Sequence, residues 1–204
     1  MTKQLIILGE SLVDSGNTAA LAAIIGQNPF EDKKYNQGGN VRASDGPVLG
    51  EFIALEMGAK IENAQLISVL SSDEAKAVQV HNYAHAGART DGSPGFSLPL
   101  VGQLIGIGLE EQKNALLKRK SFYKNQSDVD VLVSCGGNDL RDVLDEVDQI
   151  KDLISTDTKR DDKKFAKSIA KPIAKNLIKT INKVDRLTDE IALIGSLPIS
   201  QTPE

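Results

Sequence analysis

Near the amino terminus the sequence reads Leu5-Ile6-Ile7-Leu8-Gly9-Glu10-Ser11-Leu12-Val13-Asp14-Ser15-Gly16-Asn17-Thr18. Its first four residues are a short aliphatic run, which predicts a buried strand. The glycine and polar residues that follow predict a turn, and an aliphatic helix is expected after it. In open α/β sheets, ligands bind at the carboxyl ends of the strands. Ser11 is therefore a candidate nucleophile, and the alternative is that it caps the following helix.

Strand and helix patterns alternate along the rest of the chain. Further strands are predicted at Val78 to Tyr83, Val129 to Ser134 and Ile191 to Leu197, because each run is short and aliphatic. This alternation predicts an α/β fold, with a parallel sheet covered on both faces. The length fits one domain over residues 1–204.

Two helices are predicted in detail. The first covers Pro47 to Met57, with Ser44 or Asp45 as its cap and Gly58 at its end. The second covers Phe165 to Val184, where apolar residues repeat at helical spacing. Pro172 lies inside it and removes a backbone donor, so we expect a kink or a break there.

Composition excludes several classes of protein. The net charge of -4 argues against a nucleic-acid partner. Cys135 is the only cysteine, so there is no disulfide framework or cysteine metal site, and we expect it to be a small core residue. No apolar run approaches the roughly 18 residues of a membrane span. The amino terminus shows no signal peptide, which favours a cytoplasmic location unless a leader is missing.

Three segments carry a family resemblance when they are taken together. They are Gly9-Glu10-Ser11-Leu12, Asn82-Tyr83-Ala84-His85-Ala86-Gly87-Ala88 and Gly136-Gly137-Asn138-Asp139-Leu140. In this order they resemble the first three signature blocks of the GDSL or SGNH hydrolases. Asn40 to Pro47 also resembles a segment of the lipase and esterase branch. The resemblance implies a flavodoxin-like, three-layer fold with a parallel sheet.

The resemblance also implies roles for three residues. Ser11 would be the nucleophile, and Gly87 and Asn138 would form an oxyanion hole with the backbone N–H of Ser11. Fixed donors of this kind stabilise the charge that develops on the carbonyl oxygen. The alternatives are a plain turn glycine at Gly87 and, at Asn138, a turn that only starts the next helix. Asp14 and Asp139 are expected to brace the turns after Ser11 and Asn138.

Two features depart from the family pattern. Glu10 stands where the family usually has Asp, which keeps a carboxylate on a longer arm. The family's last block, with its catalytic Asp and His, is not found before Glu204, so we expect the carboxyl-terminal part of the fold to be missing. The only histidines are His81 and His85. His85 is the one candidate for a substitute base, and the alternative is a packing residue.

These observations lead to two hypotheses of different classes. The first is a carboxylic ester hydrolase that acts through a serine acyl-enzyme on a small-molecule or lipid acyl ester, without metal or cofactor. The second is a non-catalytic or fragmentary SGNH-like domain that binds acyl ligands or a partner. A separate chain could supply the last block, or an uncovered strand edge could cause self-association.

Overall fold

The computed structural model describes residues 3–24, 26, 30, 42–44, 46–64, 79–93, 108–125, 128–143 and 162–195. These residues form one parallel sheet of five strands in the spatial order β2-β3-β1-β4-β5. The strands are β1 (Gln4–Gly9), β2 (Ile61–Asn63), β3 (Val80–Asn82), β4 (Val129–Ser134) and β5 (Glu190–Ile194). The expected α/β fold is confirmed.

Among the described residues, five helices with defined bounds flank the strands: α1 (Asn17–Ile24), α2 (Leu49–Glu56), α3 (Leu109–Lys118), α4 (Lys120–Lys124) and α5 (Asp162–Val184). Residues 137–143 are also helical, and a 3₁₀ turn, Asp185–Leu187, leads into β5. None of the helices in the described part of the chain combines the length and the apolar character that a membrane span requires.

β1 lies at the centre of the sheet. Its residues Leu5 to Ile7 pair with Val80 to Asn82 of β3, and its whole length pairs with β4. All six residues of β1 are buried, as expected for a strand covered on both faces. The carboxyl ends of β1, β3 and β4 therefore meet at one edge of the sheet.

A hydrophobic core covers each face of the sheet. Ile6 and Leu8 point to the core that contains Leu109 and Leu116 of α3 and Val184 of α5. Leu5 and Ile7 alternate with them and belong to the opposite core, which α2 covers with Ala54. The two cores and the sheet between them give the three layers of the fold.

Beside β3, a group of buried and half-buried side chains connects the edge of the sheet to the helices. We call Glu62, His81, Tyr83, Arg119 and Tyr123 the Glu62 cluster. The Glu62 carboxylate lies 2.5 Å from His81 Nδ1 and accepts a bond of 2.9 Å from Arg119. The hydroxyl groups of Tyr83 and Tyr123 are 2.8 Å apart. Burial alone would raise the pKa of Glu62, but His81 and Arg119 bring it below its usual value.

The strand predictions were right for four strands and missed β2. This strand has only three residues, none of them fully buried, and Glu62 at its centre interrupts any apolar run. The predicted strand at 78–83 shortens to Val80–Asn82. The end of the last predicted strand, from residue 196, lies outside the described residues.

The helix predictions need two corrections. Helix α2 begins after Val48, whose N–H donates to Glu51 Oε2, so Ser44 is not its cap; Asp45 lies outside the described residues. Gly58, with φ of +61°, follows the last residues of α2, as predicted. Of the kink or break expected at Pro172, the break is wrong, because α5 is continuous through this exposed residue, and the kink stays a prediction. Half-buried residues lie on both sides of the proline, at Phe165 and Ile169 before it and at Ile173 and Leu177 after it. Packing of this face compensates for the lost backbone bond.

Candidate active site

Ser11 lies in a tight turn directly after β1. The carbonyl oxygen of Glu10 accepts the N–H groups of Val13 and Asp14, each at 3.0 Å. The Glu10 N–H donates to Ser134 O of β4, also at 3.0 Å. The turn is therefore fixed to the neighbouring strand, and the half-buried Ser11 lies at the carboxyl edge of the sheet.

Gln112 of α3 fixes the last peptide of β1. Its side-chain oxygen accepts the Gly9 N–H and its amide donates to Gly9 O, both at 2.8 Å. Gly9 also lies so close to β4 that a Cβ there would be 2.1 Å from Ser134 O. Sequence reasoning missed Gln112. The available signal was a polar residue at helical spacing between Leu109 and Leu116 on the buried face of α3.

Asp14 connects the Ser11 turn to the segment after β3. Its carboxylate accepts the N–H groups of Gly16 at 2.9 Å, Asn17 at 2.7 Å and Thr18 at 3.3 Å. It also accepts the Ala86 N–H at 2.9 Å. The side chain is fully buried. Asp14, rather than Ser11, therefore caps α1, which excludes the alternative role for Ser11 and confirms Asp14 as a brace.

Gly87 lies between two residues that are held in place. Ala86 donates to Asp14, and Ala88 O accepts a bond of 3.0 Å from Asn138. The φ of Gly87 is +79°, a region that side-chain-bearing residues rarely adopt. No bond joins its N–H to another described residue. A backbone donor that has no partner among the described residues, in a segment joined to the Ser11 turn, suits an oxyanion hole.

Asn138 lies in the first turn of helix 137–143 and contacts both other segments. Its side-chain amide donates to Glu10 Oε2 at 2.9 Å and to Ala88 O at 3.0 Å. Its backbone N–H also donates to Glu10, at 3.2 Å. The three predicted blocks thus meet, because the neighbours of Ser11 and Gly87 share one amide as their partner.

Asp139 fixes the far end of the same segment. It accepts the Thr90 N–H, at 3.0 Å to the closer oxygen, and the Thr90 hydroxyl at 2.6 Å. Residues 86–90 are therefore held by Asp14 at one end and by Asp139 at the other. The expectation that Asp139 braces the turn after Asn138 is not confirmed, because its carboxylate bonds Thr90 of the segment after β3 instead.

Burial dominates the electrostatics of the site. It raises the pKa of the Glu10 carboxyl, and the backbone N–H groups of Asn138 and Gly137 oppose this only in part. Burial likewise raises the pKa of the Cys135 thiol, with Glu10 and Asp139 adding to the effect. Cys135 is a core residue, as predicted, and its thiol is unsuited to nucleophilic attack.

Neither histidine is placed to activate Ser11. His85 is fully buried, its Nδ1 lies 3.4 Å from Thr18 Oγ1, and its Nε2 has no partner among the described residues. Burial lowers the pKa of His85 to about 4. His81 belongs to the Glu62 cluster. No hydrogen bond joins either ring to Ser11, so the structure supports the packing role for His85.

The described residues contain no group of His, Cys, Asp or Glu side chains that could hold a metal ion. They do contain an apolar groove of about 190 Å³, lined in part by Leu5, Ile53 and Leu132. Leu5 lies near the amino end of β1, four residues before Gly9. The groove is therefore separate from the Ser11 turn at the other end of the strands.

Comparison with known proteins supports the resemblance found in the sequence. A family model described as GDSL-like Lipase/Acylhydrolase matches residues 5–203, which is almost the whole chain. No curated protein matches it.

Proposed function

Since the chain belongs to the GDSL-like lipase/acylhydrolase family, we propose that it hydrolyses carboxylic esters through an acyl-enzyme on Ser11. One observation carries the proposal. The Ser11 turn, the Gly87 segment and the Asn138 helix are joined to one another by the buried groups Glu10, Asp14 and Asn138. Such rigid positioning of a hydroxyl beside fixed donors is what acyl transfer requires.

In the proposed reaction, Ser11 Oγ attacks the carbonyl carbon of the ester. Its proton passes to a base and then to the departing alkoxide as the ester C–O bond breaks. Water hydrolyses the acyl-Ser11 ester in the second half of the reaction and regenerates the hydroxyl. The N–H groups of Ser11 and Gly87 stabilise the oxyanion at each stage, with Asn138 as the third donor. By family resemblance the substrate is a lipid, lysophospholipid or acetylated-sugar ester.

The base is the part of this mechanism that the described residues do not supply. A serine hydroxyl is a weak nucleophile at neutral pH without one. His81 and His85 are the only histidines of the sequence; both are buried, and no hydrogen bond among the described residues joins either ring to Ser11. We propose that the Asp–His pair comes from sequence beyond these 204 residues, in the same polypeptide or in a separate one.

The test is covalent labelling with a fluorophosphonate ester, with mass spectrometry to locate the adduct. With imidazole added in place of the missing base, we expect an adduct on Ser11 that disappears in Ser11→Ala. Ser121→Ala is the matched control, because Ser121 is exposed on α4, and it should label like the parent. Added imidazole should accelerate labelling if the missing group is a histidine. Folded protein that stays unlabelled with imidazole present would contradict the proposal.

The absence of a hydrogen bond from either histidine ring to Ser11 among the described residues also favours a second candidate function. In this alternative the chain is a non-catalytic SGNH-like domain that binds acyl ligands or a partner. It would then bind a fatty-acyl ligand with the same affinity in the parent and in Ser11→Ala, and neither form would be labelled. Labelling of Ser11 would exclude this candidate.

A further inference from the structure

The side-chain amide of Asn138 has two hydrogens, and both are already bonded. One is donated to Glu10 Oε2 at 2.9 Å and the other to Ala88 O at 3.0 Å. The side chain is almost completely buried, with 7% of its surface exposed. In this arrangement Asn138 has no hydrogen left for the oxyanion of a reaction intermediate.

Glu10 reaches Asn138 because the chain provides space for its longer arm. Glu10 is 4% exposed. A Cβ added to Gly137 would lie 2.7 Å from Glu10 Oε1, so the carboxylate occupies the space beside this glycine. Glu10 Oε2 also accepts the Asn138 N–H, which places a carboxylate at the amino end of helix 137–143. An Asp here would be one methylene shorter.

We propose that Glu10 is a positioning residue that holds the Asn138 amide in a fully bonded state. The oxyanion donors at rest are then the backbone N–H groups of Ser11 and Gly87, and Asn138 joins them only when it releases Glu10 or Ala88. This inference rests on the proposed function for its catalytic consequence. The bonding itself can be tested without any activity.

The first measurement is hydrogen exchange of the Asn138 side-chain amide by NMR, with its signals assigned through Asn138→Asp. We expect slow exchange in the parent. Glu10→Asp should accelerate it about tenfold, because it removes a charge-assisted hydrogen bond. Glu56→Asp is the matched control, since Glu56 is exposed on α2, and it should change nothing. Rapid exchange of the Asn138 amide in the parent, or an exchange rate that Glu10→Asp does not change, would overturn the proposal.

The second measurement is the rate of fluorophosphonate labelling at Ser11. In Glu10→Asp the released amide should raise this rate about tenfold, a conservative value for one added oxyanion donor. The double variant Glu10→Asp, Asn138→Ala should lose that gain. A Glu10 that served only as a helix cap would change thermal stability and leave the rate independent of Asn138. If no variant is labelled, the hydrolase proposal fails, and the exchange measurement still decides the role of Glu10.

Discussion

The carboxylates of Asp14, which is fully buried, and of Glu62, which is half-buried, have different kinds of hydrogen-bond partner. Asp14 accepts four backbone N–H groups, three from the start of α1 and one from Ala86. Glu62 accepts from two side chains, His81 and Arg119. Bonds to backbone fix where a loop lies, whereas bonds between side chains fix how elements pack. The first arrangement is therefore expected to control the geometry around Ser11, and the second only the stability of the fold.

The largest expected effect is that of Asp14→Ala. It leaves several buried N–H groups without an acceptor, and each such loss costs about 1 to 3 kcal/mol. We expect the free energy of unfolding to fall by about 5 kcal/mol in urea titrations. Asp14→Asn, which keeps one acceptor, should lose about half as much and still fold. Asp185→Ala, at an exposed position, is the control.

If the backbone bonds to Asp14 control the geometry around Ser11, the Asp14 variants should also change the reactivity of Ser11. Ser11 labelling per folded molecule should fall in Asp14→Asn, because Ala86, and with it Gly87, is then held less firmly, by Thr18 Oγ1 and at most one amide oxygen. Labelling that stays at the parent rate would show that backbone bonds do not set the geometry of the site.

Glu62→Gln should cost about 3 kcal/mol, since it leaves the half-buried Arg119 without its counter-charge. Labelling of Ser11 in the folded fraction should not change. Adding Arg119→Met should recover part of the lost stability, because no unpaired charge then remains buried. A reduced labelling rate in Glu62→Gln would contradict the distinction between the two regions.

The pH dependence of the free energy of unfolding should distinguish the contribution of His85 from that of Glu62. Between pH 6.5 and about 4, the unfolded chain protonates His85 and the folded chain does not, because burial lowers its pKa to about 4. Unfolding then takes up a proton, so stability falls with falling pH, by about 3 kcal/mol in all. Glu62 has a lowered pKa and its contribution is lost only below pH 4.5. Urea titrations of His85→Asn should lack the loss above pH 4.5 and keep the one below it.

The smallest expected effect is that of Gly137→Ala. The new Cβ would press on Glu10 Oε1, which is the end of a side chain and can shift at modest cost. We expect a loss of about 1 kcal/mol, which lowers Tm by about 3 °C in a chain of this size. Gly46→Ala is the control, because a Cβ there meets nothing within 4 Å. An equal effect in both variants would mean that the Glu10 carboxylate is not closely held.

The sequence predicted those parts of the molecule in which local pattern and tertiary context agree. β1 and β4 are aliphatic runs that are buried on both faces, so their pattern was sufficient. β2 is held mainly by pairing with β3 and by the contacts of Glu62, which no local pattern reveals. The start of α2 was predicted two residues too early. The Val48 N–H donates to Glu51 inside the helix, and not to a capping residue before it.

The same limit applies to the candidate site. The motifs indicated Ser11, Gly87 and Asn138, and the structure brings their segments together. The connecting bonds could not be predicted, because Gln112 and Asn138 act across more than 100 residues of sequence on Gly9 and Glu10. The sequence also allowed His85 to be a substitute base. Its complete burial, which the sequence did not reveal, argues against that role.

The central position of β1 has a consequence for synthesis on the ribosome. Ser11 emerges early, but the β4 partner of β1 and the Asn138 helix follow more than 110 residues later. At about 5 to 20 residues per second, that interval lasts roughly 6 to 25 s. For this time the aliphatic Leu5–Leu8 run lacks its central pairing, and a nascent chain with such an exposed strand is a natural client for chaperones.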